Sequence, residues 1–191
     1  VVQSSLTADY GTAITWSVAK NGFTAKNGSL TLTEDTTLPV TLVVNVGIKH
    51  VATANGDTTF VLYGTGELYG CGYNSYYGQQ GNGTTNDVLT FTKRADNAEK
   101  IISSQSTTFY LTTTGELYGC GDNRYGQQGD GKTNNVLTFT KRADGVKDVY
   151  CSNGTTFYLT TTGELYGCGI NDAGQQGDGT TNNVLTFTKR A

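Results

Sequence analysis

The chain has 191 residues, room for one domain or for one domain with a small extra module. Only 15% of the residues are charged and 36% are hydrophobic, with 26 glycines, one proline and no methionine, a composition for short strands and tight turns rather than helices. The net charge of −3, without a long basic block, argues against sequence-independent nucleic-acid binding, and no apolar run reaches the ~18 residues of a membrane-spanning helix.

Residues 1–47 differ in pattern from the rest of the chain. They read as strands at about Ala13–Ala19 and Val40–Val46, with a hairpin-like stretch around Asn27-Gly28-Ser29. The segment is too short for a complete immunoglobulin-type sandwich, which takes about 100 residues. Trp16 and the run VTLVVNV predict burial against something else. The stretch ITWSV … SLTLTEDTTLPVTLVVNV resembles part of a bacterial immunoglobulin-like domain. The N-terminus has no charged-then-apolar leader pattern, so a secreted protein would already have lost it.

Residues 48–191 repeat. ELYGCG occurs at Glu67–Gly72, Glu116–Gly121 and Glu164–Gly169, GQQG starts at 78, 126 and 174, a spacing of 48 residues each time, and VLTFTKRA ends at Ala95, Ala143 and Ala191. Cys71 and Cys120 are 49 apart because the first copy carries an extra residue in Tyr76-Tyr77. A period of this size denotes a solenoid or a propeller with one supersecondary unit per repeat, here about 48–96, 97–144 and 145–191. In the third copy, Val149–Cys151 reads as a strand, Ser152-Asn153-Gly154 as a turn, and Thr155–Thr160 as a second strand with Phe157 and Leu159 facing opposite to Tyr158 and Thr160. Thr161-Thr162-Gly163 turns the chain, Glu164–Cys168 returns, a loop runs on to about Asn183, and Val184–Thr188 is the fourth strand. The predicted fold is all-β: three antiparallel four-stranded blades of a partial, open propeller, preceded by the short β segment.

The frame Gly121-Asp122-Asn123-Arg124-Tyr125-Gly126-Gln127-Gln128-Gly129 recurs as Gly169 to Gly177, and the first copy keeps Asn74, Gly78, Gln79 and Gly81. With its strand-turn-strand lead-in, this frame resembles the regulator of chromosome condensation family over about three quarters of the chain. The resemblance implies a β-propeller. It also implies departures: Cys120 and its equivalents stand where the family usually has Trp, Gln128 and its equivalents replace Leu, and Thr replaces a His. The family propeller has seven blades, against three here. The family's nucleotide-exchange activity brings no residues onto this chain, and the basic tail of its chromatin-binding member is absent.

Within the frame, Asn74, Asn123 and Asn171, glycines 78, 81, 126, 129, 174 and 177, and Gln79, Gln127 and Gln175 are read as structural. The glutamines both donate and accept, which suits cross-linking loop backbone to a neighbouring blade. Cys71, Cys120 and Cys168 share one repeat position and are expected buried and unpaired. Cys151 is the odd one and the candidate for a disulfide, with Cys120 or Cys168.

Lys93-Arg94, Lys141-Arg142 and Lys189-Arg190 would form a cationic arc, unless the arginines pair with Glu67, Glu116 and Glu164, the preferred reading. Asp122, Asp130, Asp172 and Asp178 lack calcium-loop spacing and read as turn residues. The glycine-rich loops precede no helix and lack a phosphate-loop sequence, and His50 is the single histidine. No metal, cofactor or catalysis is therefore expected. Asn27, Asn82 and Asn153 head glycosylation sequons.

Three blades leave two open flanks, and open strand edges recruit partners. The functional expectation is a non-enzymatic structural or adhesive protein outside a microbial cell, binding copies of itself, with filament growth one outcome and the N-terminal segment adding a strand to a neighbour. The alternatives are a soluble scaffold or small-GTPase exchange factor, and a lectin binding glycans through Tyr73, Tyr76, Tyr77 and Tyr125.

Overall fold

The computed structural model describes residues 13–18, 26–31, 47–54 and 57–190. The chain divides into two units, Val1–Gly47 and Ile48–Ala191.

In the first unit, β1 (Ala13–Val18) pairs antiparallel with β2 (Lys26–Thr31). Ser17 lies opposite Asn27 and Thr15 opposite Ser29, so Asn27-Gly28-Ser29 is an arm of the pair and not its turn, a correction to the sequence reading. Turn chemistry is a local preference, and cross-strand pairing overrides it. The expected strand Val40–Val46 and the end of β1 at Ala19 lie outside the described residues.

The second unit holds three four-stranded antiparallel sheets in which chain neighbours are sheet neighbours. The first blade is β3 (Ile48–Ala54), β4 (Thr58–Tyr63), β5 (Leu68–Gly72) and β6 (Val88–Ala95). The second is β7 (Ala98–Ser104), β8 (Thr107–Thr112), β9 (Leu117–Gly121) and β10 (Val136–Ala143). The third is β11 (Val146–Ser152), β12 (Thr155–Thr160), β13 (Leu165–Gly169) and β14 (Val184–Lys189). The elements of this unit are all strands, as the period predicts. The leading strand β11 is longer than the expected Val149–Cys151, because Val146 also reaches the core and pairs with Thr160.

The alternation along β8 and β12 builds the core between blades. Phe60, Leu62 and Leu68 of the first blade pack on Ile101 and Tyr110 of the second, and Phe109, Leu111 and Leu117 of the second pack on Val149 and Tyr158 of the third. Tyr110 stacks on Tyr118 at 5.0 Å and meets the edge of Phe139 at 4.9 Å, and Tyr158, Tyr166 and Phe187 repeat the cluster. Such layers bury apolar surface worth roughly 25 cal/mol per Å².

Candidate interaction surfaces

Each long loop is held by one asparagine. Asn123 is fully buried, accepts the N–H of Gln128 at 2.9 Å, and donates to the Asp130 carboxylate at 3.0 Å and the Lys132 carbonyl at 3.1 Å. Asn171 does the same with Gln176, Asp178 and Thr180, and Asn74 with Gln80, Asn82 and Thr84. Side-chain amides thus close a loop that has no strand of its own to satisfy it.

The side chains of Gln79, Gln127 and Gln175 do not tie blades together as the sequence suggested. Gln127 caps its own loop, accepting from Tyr125 N–H at 2.9 Å, and Gln175 accepts from Ala173 N–H. It is the main-chain carbonyls that cross: Gln127 O accepts from Thr156 at 2.8 Å and from the Cys168 thiol at 3.4 Å. The second glutamines, Gln80, Gln128 and Gln176, escaped the sequence reading. They are buried, and each donates to the carbonyl of Cys71, Cys120 or Cys168 within its own blade. Their place beside Gly70, Gly119 and Gly167, where a Cβ would strike the amide oxygen, requires those glycines.

The frame glycines form a socket. A Cβ on Gly78 would stand 2.5 Å from Cδ2 of Leu137, and one on Gly81 would stand 2.6 Å from Cε2 of Phe139, so β10 of the next blade seats two side chains against bare backbone. Gly126 and Gly129 receive Leu185 and Phe187 in the same way. Bridges Asn82–Thr138 and Asp130–Thr186 line up the joints. The row therefore ends with unlike faces. On the first blade the matching Leu89 and Phe91 are 92% and 52% exposed, whereas Leu185 is 36% exposed. On the third, no described atom lies within 4 Å of a Cβ built on Gly177, and Phe157, Leu159 and Leu165 are only partly buried, unlike Phe109, Leu111 and Leu117.

The cationic arc is dismantled by strand alternation. Lys93, Lys141 and Lys189 pair with Glu67, Glu116 and Glu164 at 2.7 to 2.8 Å, so lysines rather than the expected arginines take those partners. Lys93 also pairs with Asp96, and Lys141 with Asp144 at 2.6 Å. The arginines point to the other face: Arg142 is 5% exposed and meets Asp130 at 3.3 Å, Arg190 meets Asp178 at 3.5 Å, and Arg94 donates to Gln80. The Lys93 hydrogen bond holds the Glu67 carboxyl below its ordinary value, and the Lys189 bond does so for Glu164.

All four cysteines are free. The Cys151 disulfide does not form: Cys120 and Cys168 turn to the carbonyls of Gln79 and Gln127 of the preceding blade, while Cys151 packs on the cluster between blades two and three. Cys71, whose blade has no preceding partner among the described residues, is only partly buried, against the expectation of one shared environment. Burial pushes the Cys151 thiol up to about 12 and raises Cys120 and Cys168 as well.

The acidic loop residues are engaged in turns: Asp178 accepts from Thr180, Asp172 from Gln175, and Asp122 from Arg124. Among the described residues no group of three or more His, Cys, Asp and Glu side chains gathers as a metal site, and no helix is long and apolar enough to cross a membrane. His50 lies exposed on β3. Of the sequon asparagines, Asn153 sits in the β11–β12 turn at φ 50° and Asn82 accepts from Thr84, while Asn27 is in β2. Tyr76 and Tyr125 are exposed, and Tyr73 and Tyr77 line a cleft between the first two blades.

Comparison with known proteins agrees with this architecture. Residues 103–127 and 146–175 match the model of the Regulator of chromosome condensation (RCC1) repeat. A search of the curated proteins found no match. Among solved structures, human WBSCR16 is similar at 18% identity with a TM-score of 0.65, covering 82% of this chain and 40% of that one. Yeast RCC1 (Prp20), solved bound to Kap60, is similar at 20% identity and TM-score 0.63, covering 80% and 39%. Prp20p from Saccharomyces cerevisiae, studied for its binding to Gsp1p and histones, is similar at 18% identity and TM-score 0.62, covering 84% and 42%. The chain spans about two fifths of the length of these proteins, and the likeness is one of fold.

Proposed function

We propose, from the premise that this chain is built of regulator of chromosome condensation repeats, that it is a non-catalytic protein-interaction array whose two ends join one copy to the next. The observation that carries the reading is the mismatch of the ends: Leu89 and Phe91 stand exposed on one flank, and Gly174 and Gly177 stand uncovered on the other. The same side chains fill the same socket twice inside the chain, between blades one and two and between blades two and three. A second copy would repeat that joint, with Thr90 opposite Asp178 where Thr138 meets Asn82 and Thr186 meets Asp130. A contact between unlike faces propagates as a filament unless its rotation closes a ring.

The fold in the yeast protein binds Kap60, and its binding to Gsp1p and histones has been studied, which supports a protein-binding platform. The proposal includes a setting outside a microbial cell, in keeping with the low charge and the many threonines and asparagines. Light scattering on the eluted chain over a range of concentrations tests the assembly. Masses rising above 20.3 kDa, and a return to 20.3 kDa in Leu89→Asp/Phe91→Asp, support it. A folded monomer at every concentration overturns it and favours a soluble scaffold or exchange factor instead.

A further inference from the structure

The three copies differ from one another in few places. Between the second and third, Thr107–Gly121 and Thr155–Gly169 are identical, and GQQG to the final alanine differs only at Lys132 and Thr180. The other differences fall in two stretches, 97–106 against 145–154 and 122–125 against 170–173. These stretches, far apart in sequence, meet at one end of each blade. Asp122 N–H donates to Ser106 O at 2.8 Å, Ile170 N–H to Gly154 O at 2.9 Å, and Tyr73 N–H to Asp57 O at 2.7 Å. In the first copy both stretches carry an extra residue, Tyr76 in the Tyr76-Tyr77 pair and one in the turn between β3 and β4. Insertions in a repeat array map to loops on one face, often the face that binds.

A cleft of about 330 Å³ opens there between the first and second blades, lined among others by Asp57, Tyr73, Tyr77, Ser106, Asp122 and Arg124. Tyr76 at φ 70° and Gln105 at φ 52° hold left-handed backbone beside it, a conformation costing a non-glycine about 1 kcal/mol or more.

The chemistry of the walls is anionic and aromatic. Arg124 lies over the Tyr77 ring at 4.8 Å, so a ring face of this cleft already takes a guanidinium. That guanidinium is spent on the buried Asp122, through Nε to Oδ1 at 3.0 Å and Nη2 to Oδ2 at 2.9 Å. Asp57 is left on the opposite wall, exposed and without an ion-pair partner among the described residues. The Tyr73 hydroxyl is raised above its ordinary value by burial, then by Tyr76, Asp87, Tyr77 and Asp57, which marks the neighbourhood as electronegative.

We propose that this cleft binds a cationic side chain, an arginine or lysine presented by a partner protein, between Asp57 and the tyrosine rings. A neutral sugar would find hydroxyl partners here but would leave the Asp57 charge without a counterion.

The test is an NMR titration of the 191-residue chain carrying Phe91→Asp, which holds it small whether or not the copies assemble. The probes are N-acetyl-arginine methylamide and its neutral citrulline counterpart. The arginine probe is expected to shift the amides of Asp57, Tyr73, Ser106 and Arg124. The citrulline probe should bind at least about fivefold more weakly, as the loss of a cation over an aromatic face predicts. Asp57→Asn, an exposed change, should weaken the arginine probe about threefold or more. Equal binding of the two probes, no shift with arginine, or shifts confined to the third blade would overturn the proposal. So would maltohexaose binding at these residues in place of the arginine probe.

Discussion

The thiol of Cys120 donates to the main-chain carbonyl of Gln79 over 3.3 Å, from one blade into the glycine-glutamine loop of the blade before it. Cys168 repeats this to Gln127. The joint is therefore built from a small donor, a carbonyl turned sideways by flanking glycines, and a leucine-phenylalanine pair. Each part comes from the repeated sequence, which is why one joint predicts the next.

Thiol reactivity should track the position of each blade. In the native protein at pH 8, Cys71 reacts first with an alkylating reagent, Cys151 slowly at a pKa of about 12, and Cys120 and Cys168 last because burial raises both. The denatured, unreduced chain should titrate four thiols. Peptide mapping after timed alkylation reads the order, and early labelling of Cys120 would contradict the buried joint.

The two equivalent glycines Gly129 and Gly177 should respond differently to alanine. A Cβ at Gly129 meets the Phe187 ring at 2.5 to 2.9 Å, and one at Gly177 meets no described atom, while both have positive φ of 67° and 66°. Both lose about 1 kcal/mol to backbone strain. Gly129→Ala should lose about 1–3 kcal/mol more from overpacking. Urea denaturation of the two variants measures the difference.

Loop closure predicts a large effect at Asn123. Asn123→Ala removes one acceptor and two donated bonds in a buried site. Unsatisfied buried groups cost about 1–3 kcal/mol each, so the loss should be at least about 3 kcal/mol. A thermal or urea melt showing less than about 1 kcal/mol would remove Asn123 as the organiser of the loop.

How much of the fold was legible depends on the kind of interaction. The period gave the blades, because each copy must bury the same face. The split of Lys141 and Arg142 was latent in strand alternation, since neighbours on β10 face opposite ways, yet spacing alone suggested an arc. The buried Gln128 was hidden because its role depends on the bare backbone of Gly119 beside it. Leu89 and Leu185 could not be told apart at all: the strands are identical, and only place in the row sets exposure at 92% or 36%.

Charge pairing separates those neighbours in stability. Lys141→Ala loses pairs with Glu116 and Asp144 on the surface and should cost about 0–1 kcal/mol. Arg142→Ala removes a buried guanidinium bonded to Asp130 and should cost about 3 kcal/mol. Paired urea melts decide, and equal costs would contradict the inward placement of Arg142.

Acid should weaken the fold from a defined point. Hydrogen bonds from Lys93 and Lys189 lower Glu67 and Glu164, and backbone N–H groups of Asn74 and Thr180 lower Asp87 and Asp178. A carboxyl lowered in the folded state contributes stability that is fully present above its unfolded value, near pH 4, and is lost as pH falls through the lower folded value. Melting temperature should hold from neutrality to about pH 5 and decline below about pH 4. A decline already complete at about pH 6 would point to other groups.

The head-to-tail joint is tested most directly by mixing two variants, each blocked at one end. Phe91→Asp keeps an open Gly177 socket, and Gly177→Glu keeps an exposed Leu89 and Phe91. By light scattering, each variant alone should remain at 20.3 kDa, and an equimolar mixture should form a complex of twice that mass and no larger. A mixture that stays monomeric while the parent chain associates, or either variant associating alone, would contradict the joint.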